Sequence, residues 1–257
     1  MNLTKSTYFT PEANASYMSV SQFKQFRDCP ASAMAEIHGE WERPKTTALL
    51  EGSYLDAYFS GSLIEFQSEH PEILNKRTGA LKAEYRKAAE AIRLVEQDDA
   101  FMEYLSGEPQ RIITGELFGV AWKAKPDFTF ADKMVDLKYM RDMKPIYKDG
   151  ERKTFIEAWG YHLQAYVYQK LETQLTGITK PFYLAVITKE DPADHAVIEI
   201  PQWLINSAGS IVAHYTPIFD AIKRGEAEPE RCGACAYCRS TKKTDKITSY
   251  EALLDAL

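Results

Sequence analysis

The sequence predicts an α/β protein, a mixed central β-sheet flanked by helices. Three observations carry this. Residues 110–140 hold short aromatic and β-branched runs separated by turn signals, the pattern of strands. Residues 82–97 and 155–173 are longer stretches with apolar residues at helical spacing. Two more strand-like runs, 182–188 and 196–200, follow the second of these helices. With 257 residues, 45% of them hydrophobic, the chain can bury one substantial core.

In chain order, residues 1–15 are polar, contain Pro11 and lack a period, so they are expected to form a flexible N-terminus. A helix opens near residue 19, with Ser19 or Ser21 as N-cap and Phe23 and Phe26 on one face. Residues 46–58 read as a second helix that brings Gly52 and Asp56 to one face, and 82–97 as an amphipathic one continued by a short helical piece over 98–105. The runs 118–122, 128–130 and 134–139 read as a strand meander, with Ala131, Asp132 and Lys133 as a turn. Residues 141–154, with Pro145, Gly150 and many charges, read as a loop suited to a flap over a bound substrate. Residues 155–173 form one helix, 182–188 and 196–200 two antiparallel strands, and 205–224 a helix that Gly225 ends. There is no internal repeat and no low-complexity tract.

The chemistry concentrates in four places: Gly115-Glu116, Lys125-Pro126-Asp127-Phe128, Asp136-Leu137-Lys138, and the pair Gln164 and Tyr168. An Asp, then eight residues, then Asp-x-Lys at the end of an apolar run places two acids and a lysine as a metal-dependent nuclease does. Asp127, Asp136 and the Leu137 carbonyl can hold Mg²⁺ or Mn²⁺. Such an ion lowers the pKa of a bound water, and Lys138 can position that water and neutralise charge on the phosphate. A lone Asp-x-Lys is usually a solvated strand end; here the acids fall on adjacent strands, where side chains converge across a ladder. Gln164 and Tyr168, four apart, share a helix face that either looks at this site or packs in the core. Lys125, Arg141, Lys144 and Lys148 flank the site as a candidate DNA phosphate track, although most such residues form a solvated face.

These motifs resemble the PD-(D/E)XK nuclease superfamily, and most of all its RecB/RecE-like branch from phage and prophage recombination modules. Pro126-Asp127 is similar to the PD element, Asp136-Leu137-Lys138 to (D/E)XK, and Gln164 with Tyr168 to QxxxY. Glu116 resembles the acid one strand upstream. The resemblance spans about residues 16–240, which implies a single nuclease domain with a restriction-endonuclease-like core, followed by a tail at 241–257. One departure stands out: where many RecB-type nucleases carry Gly-x-x-x-His, this chain has Gly52-Ser53-Tyr54-Leu55-Asp56. Either Asp56 replaces the histidine as a metal ligand, or it is a surface residue and Glu116 supplies the third acid.

The chain has four cysteines, Cys29 early and Cys232, Cys235 and Cys238 late. An x2–x2 triplet sets three thiolates on one tight loop, and four cysteines with no remainder fit a Cys₄ site. Zinc also takes four thiolates, and free thiols are the third alternative. The resemblance to cluster-bearing RecB-like nucleases implies a [4Fe–4S] cluster that joins the chain ends. Those families space the last cysteines x2 then x5, unlike this chain.

Net charge is −6, a mild argument against a protein that coats DNA electrostatically. There is no apolar run of about 18 residues, and the N-terminus lacks a signal-peptide core, so a cytoplasmic location and no membrane contact are expected. The five histidines show no metal spacing, and neither a Ser/His/Asp triad nor a Walker loop is visible, which excludes an ATPase motor within the chain. The resemblance implies an exonuclease acting on linear double-stranded DNA, with a single-strand annealing recombinase as partner. The alternatives are an endonuclease or single-strand nuclease on the same site, a non-catalytic DNA-binding subunit, and a redox protein centred on the cysteines.

Overall fold

The computed structural model describes residues 3–44, 46–148 and 150–244, together with 247 and 250. Most of the tail expected at 241–257 lies outside these residues. Five strands form one mixed sheet, in the order β1 (Glu108–Pro109), β4 (Phe128–Thr129), β5 (Met134–Met140), β8 (Phe182–Thr188) and β9 (His195–Ile200). β5 and β8 are parallel and the other pairs antiparallel. This is the mixed sheet flanked by helices that the sequence predicts.

Helices cover both faces. One side carries α2 (Val20–Asp28), α9 (Tyr161–Thr176) and α10 (Gln202–Lys223), packed with Phe23, Phe26, Met134, Phe182, Leu184 and Val186. The other carries α4 (Thr47–Phe59), α6 (Ala83–Val95) and α7 (Asp99–Glu103), packed with Phe128, Val135, Leu137, Ala185 and Ile187. Buried residues of β5 and β8 thus alternate between two cores, which is why these strands read as continuous apolar runs. Since Met134 faces α9, the period of two turns Asp136 and Lys138 toward α9 as well.

Several local expectations are corrected. The strands do not form one meander: β2 (Ile113–Leu117) and β3 (Val120–Ala124) make a separate hairpin. Phe118 and Gly119 form its two-residue turn rather than a strand start, both at positive φ, 55° and 75°. The predicted loop 141–154 contains a hairpin, β6 (Ile146–Lys148) with β7 (Glu151–Lys153). The predicted helix 155–173 is broken in two. A capping box of Thr154 and Glu157 starts α8 (Phe155–Ala158), and Gly160 at φ 64° turns the chain into α9.

The N-terminal stretch differs from the flexible segment expected. α1 (Pro11–Ser16) is capped by Thr10, and Leu3, Tyr8 and Ala13 are buried together. Lys123, itself buried, donates to the Tyr8 carbonyl at 2.5 Å and to Asn14 Oδ1 at 2.7 Å, which holds the segment against β3. Ser19 caps α2, and α3 (Pro30–Ile37) begins directly after Cys29. The remaining helices are α5 (Leu63–Glu69) and α11 (Ala236–Ser240). Among the described residues no helix is long and apolar enough to cross a membrane.

Candidate active site

The site is built on the β4–β5 edge. Phe128 pairs with Val135, and continuing this antiparallel register sets Asp127 opposite Asp136. Asp127 Oδ2 accepts the Leu137 N–H at 2.8 Å. Met134 and Met140 bond toward the β8 edge, through Met134 N to Pro181 O and Lys189 N to Met140 O. Leu137, three residues from each, therefore turns both its N–H and its carbonyl to the Asp127 edge.

Asp136 is 2% exposed. Its Oδ1 accepts from Gln164 Nε2 at 2.7 Å. Its Oδ2 takes no hydrogen bond of normal geometry and faces the Lys138 ammonium as an ion pair. Tyr168, one turn beyond Gln164, stands beside the Gln164 side chain and the two strand acids and sets its ring edge against Phe182 at 6.2 Å. On this face Gln164 holds an acid, while the Tyr168 ring packs against the core.

The titratable groups report on one another. Burial pushes the Asp127 carboxyl well above its usual range, and the charges of Asp136 and Asp56 add to this. Burial likewise raises Asp56 to about 6; Lys138 opposes the shift and Asp136 reinforces it. Asp56, carried by α4, therefore shares the field of the two strand acids. Burial pulls Lys138 down, but Asp136 and Asp127 outweigh it and hold the amine above its usual value. Lys138 is therefore an ammonium at neutral pH in the metal-free site.

Lys125 feels Asp127 and Asp56, donates to Gln110 Oε1 at 2.9 Å, and stands 4.9 Å from the Phe9 ring centre. The other predicted cations lie elsewhere. Arg141 and Lys144 are exposed and pair with Asp142 and Glu190. Lys148 donates to the Ala158 carbonyl at 3.0 Å, on the α8–α9 corner.

Glu116 is not brought to the acids. It is exposed on β2, and its backbone N–H and carbonyl bond the Gln174 side chain. Gln174 lies ten residues along α9 from Gln164, about 15 Å at helical rise. Gly115 explains the motif differently: a Cβ there would stand 2.4 Å from Gln174 Oε1 and 2.9 Å from Leu171 Cδ2. The glycine lets β2 lie against α9.

Sequence reasoning missed Lys24 and Tyr161. Burial and the Lys138 charge pull Lys24 down to about 8, partly offset by Asp136 and Asp28. Lys24 and Lys138 both stand over the Tyr161 ring, at 5.3 and 5.2 Å. Nothing in the sequence marks Lys24, which is one polar residue of a capped helix.

The second centre is the cysteine group. The sulfurs of Cys29, Cys232, Cys235 and Cys238 all lie within 4.8 Å of one another, and Cys29 and Cys238 are 3.6 Å apart. Among the described residues no comparably tight group of acid or histidine ligand atoms forms. Backbone N–H groups of Cys235 and Ala234 draw the exposed Cys232 thiol down to about 6, whereas burial lifts Cys29 to about 11. Gly233 at φ 73° permits the tight loop. The Ala31 N–H donates to the Glu230 carbonyl at 3.0 Å, and Trp41 meets Tyr237 edge-on at 5.7 Å, so both chain ends close around the thiols.

A mixed sheet carrying Asp127, Asp136 and Lys138 under Gln164 defines a PD-(D/E)XK nuclease-type core. The chain belongs to the family described as a PDDEXK-like domain of unknown function (DUF3799), which it matches over residues 19–241. It is similar to a crystal structure from Eubacterium rectale described as a "putative exonuclease", at 39% identity over 100% of each chain with a TM-score of 0.96. Another solved structure, of SSO0001, has 14% identity, 89% coverage of this chain and 96% of that one, and a TM-score of 0.29. No curated protein matches. The family and the Eubacterium rectale protein support a nuclease.

Proposed function

We propose that this protein is a Mg²⁺- or Mn²⁺-dependent deoxyribonuclease that degrades linear double-stranded DNA from its ends. The observation that carries this is the buried Asp136, held by Gln164 on one oxygen and facing the Lys138 ammonium with the other, beside Asp127. A binding role alone needs no such lysine between acids. The exonuclease reading is supported by the description of the Eubacterium rectale protein.

The donor set fits a hard divalent cation. Asp127, Asp136 and Asp56 offer carboxylates and Leu137 offers a carbonyl on the same edge, with Asp136 Oδ2 ion-paired to Lys138 in the metal-free site. A bound ion would supply an acidified water and charge neutralisation at the phosphate. The chain's residues do the rest. Gln164 keeps the Asp136 carboxylate in one rotamer, and the Leu137 N–H does the same for Asp127. Lys138, fully protonated, holds the attacking water or a phosphate oxygen and offsets negative charge as it builds. Tyr168 packs beside Gln164 at the edge of the core.

The four thiolates form a second, structural centre, which we assign to a [4Fe–4S] cluster. The support is its one early and three late cysteines. Iron and acid-labile sulfide with visible absorption in anaerobically purified protein are expected; one zinc per chain without colour would replace this assignment. Recombination, with a single-strand annealing protein as partner, is the proposed setting.

The test is degradation of end-labelled linear duplex against a closed circle, with Mg²⁺ or EDTA, for wild type and Lys138→Ala. Mg²⁺-dependent loss of linear DNA alone, absent in Lys138→Ala, is expected. Cutting of the circle would make the enzyme an endonuclease, and no cleavage by protein with its cysteine centre loaded would overturn the catalytic reading.

A further inference from the structure

A groove of about 550 Å³ lies between α2, α10, the β6–β7 hairpin and the α8–α9 corner. Four cations line it, Lys24, Arg27, Lys148 and Lys153, against two acids, Asp28 and Glu157. Glu157 Oε2 accepts from both the N–H and the hydroxyl of Thr154, and Lys153 is paired with Glu151 at 3.4 Å. Cations outnumber acids in the lining, and the volume suits a ligand rather than a few waters.

Trp159 sits at the turn of this groove, 50% exposed. Two lysines fix the backbone that carries it: Lys24 Nζ donates to the Trp159 carbonyl at 2.8 Å, and Lys148 Nζ to that of Ala158 at 3.0 Å. Lys148 also stands 5.8 Å from the indole centre. A clamped corner thus presents a large aromatic face to solvent beside cations. The groove neighbours the acids: Lys24 of its wall and Lys138 both stand over the Tyr161 ring, and Lys24 feels the Asp136 charge.

We propose that this groove binds a single-stranded segment of DNA, with one base stacked on Trp159 and adjoining phosphates on Arg27, Lys148 and Lys153. Aromatic faces beside a cationic track are how single strands are held without sequence preference. A duplex hides its base faces in the stack, so it cannot use Trp159 in this way. The inference rests on the nuclease reading and adds to it the path of an unpaired strand next to the acids.

The experiment measures anisotropy of a labelled oligo-dT and of a blunt duplex of equal length in EDTA, where cleavage does not interfere. Wild type, Trp159→Ala, Trp159→Phe and Lys148→Gln are compared. Oligo-dT affinity should fall roughly 5- to 150-fold in Trp159→Ala and largely return in Trp159→Phe, with a smaller change for the duplex. Lys148→Gln should flatten the salt dependence by about one counterion. If Trp159→Ala binds oligo-dT as wild type does while wild type still degrades linear DNA, the groove assignment falls and the nuclease stands. If wild type neither binds nor cuts DNA, both fall.

Discussion

Asp56 offers the sharpest test of the acid cluster, because its two roles pull in opposite directions. In the metal-free protein its pKa is about 6 against an ordinary 3.8, so the folded state holds a proton that the unfolded chain releases. Stability from this group is complete below about pH 4, is lost as the pH rises toward 6, and stays lost above. A gap of about 2 units at 1.36 kcal/mol each sets a ceiling of about 3 kcal/mol at pH 7. Asp56→Asn removes that cost, so the EDTA-treated variant should be more stable than wild type at pH 7 by up to about 3 kcal/mol. Its stability change between pH 5 and 7 should also shrink by about 1 kcal/mol. Urea unfolding at the two pH values measures both. With Mg²⁺ the order should reverse, since wild type gains stability from binding and the variant gains much less. A metal-free Asp56→Asn that is no more stable at pH 7, with an unchanged pH gap, would refute the buried-acid argument. Equal Mg²⁺ stabilisation of both proteins would remove Asp56 from the ligand set.

Four further outcomes are expected. Gln164→Leu should lower linear-DNA cleavage about 10- to 100-fold while the protein stays folded, because Asp136 loses its orienting bond; kinetics with circular dichroism as control would show it. Glu116→Ala should leave cleavage near wild type, whereas Gly115→Ala should cost about 1–3 kcal/mol in denaturant unfolding, since its methyl meets Gln174 and Leu171. If the cysteine centre holds the proposed cluster, Cys29→Ser should lower its iron content and the melting temperature, read by metal analysis and calorimetry.

What could be read from the sequence was whatever short-range pattern determines. β5 and β8 are visible because helices cover both their faces, so nearly every residue from Met134 to Leu137 and from Phe182 to Thr188 is buried or apolar. Asp127, Asp136 and Lys138 stand out because they interrupt such runs. The break at Gly160 was hidden, since Phe155, Leu163 and Val167 keep a helical period across it. The β6–β7 hairpin was hidden for the opposite reason, being mostly polar and exposed. Glu116 misled because proximity in a motif is not proximity in space: β2 lies along α9 far from Gln164. Lys24 reaches the Trp159 carbonyl across 135 residues of sequence, a contact no local pattern encodes.

A loaded cysteine centre would also act on states of the molecule in which little of this geometry exists. Cys29 and Cys238 are 209 residues apart, so a cluster still held by both in the unfolded chain would close a loop of that length. Treated as a covalent closure, a loop of that length removes chain entropy worth about 5 kcal/mol at room temperature. A chain that kept its cluster on unfolding would hold these two segments together and start refolding with a very long-range contact already made. Without the cluster, the same chain must find that contact by diffusion.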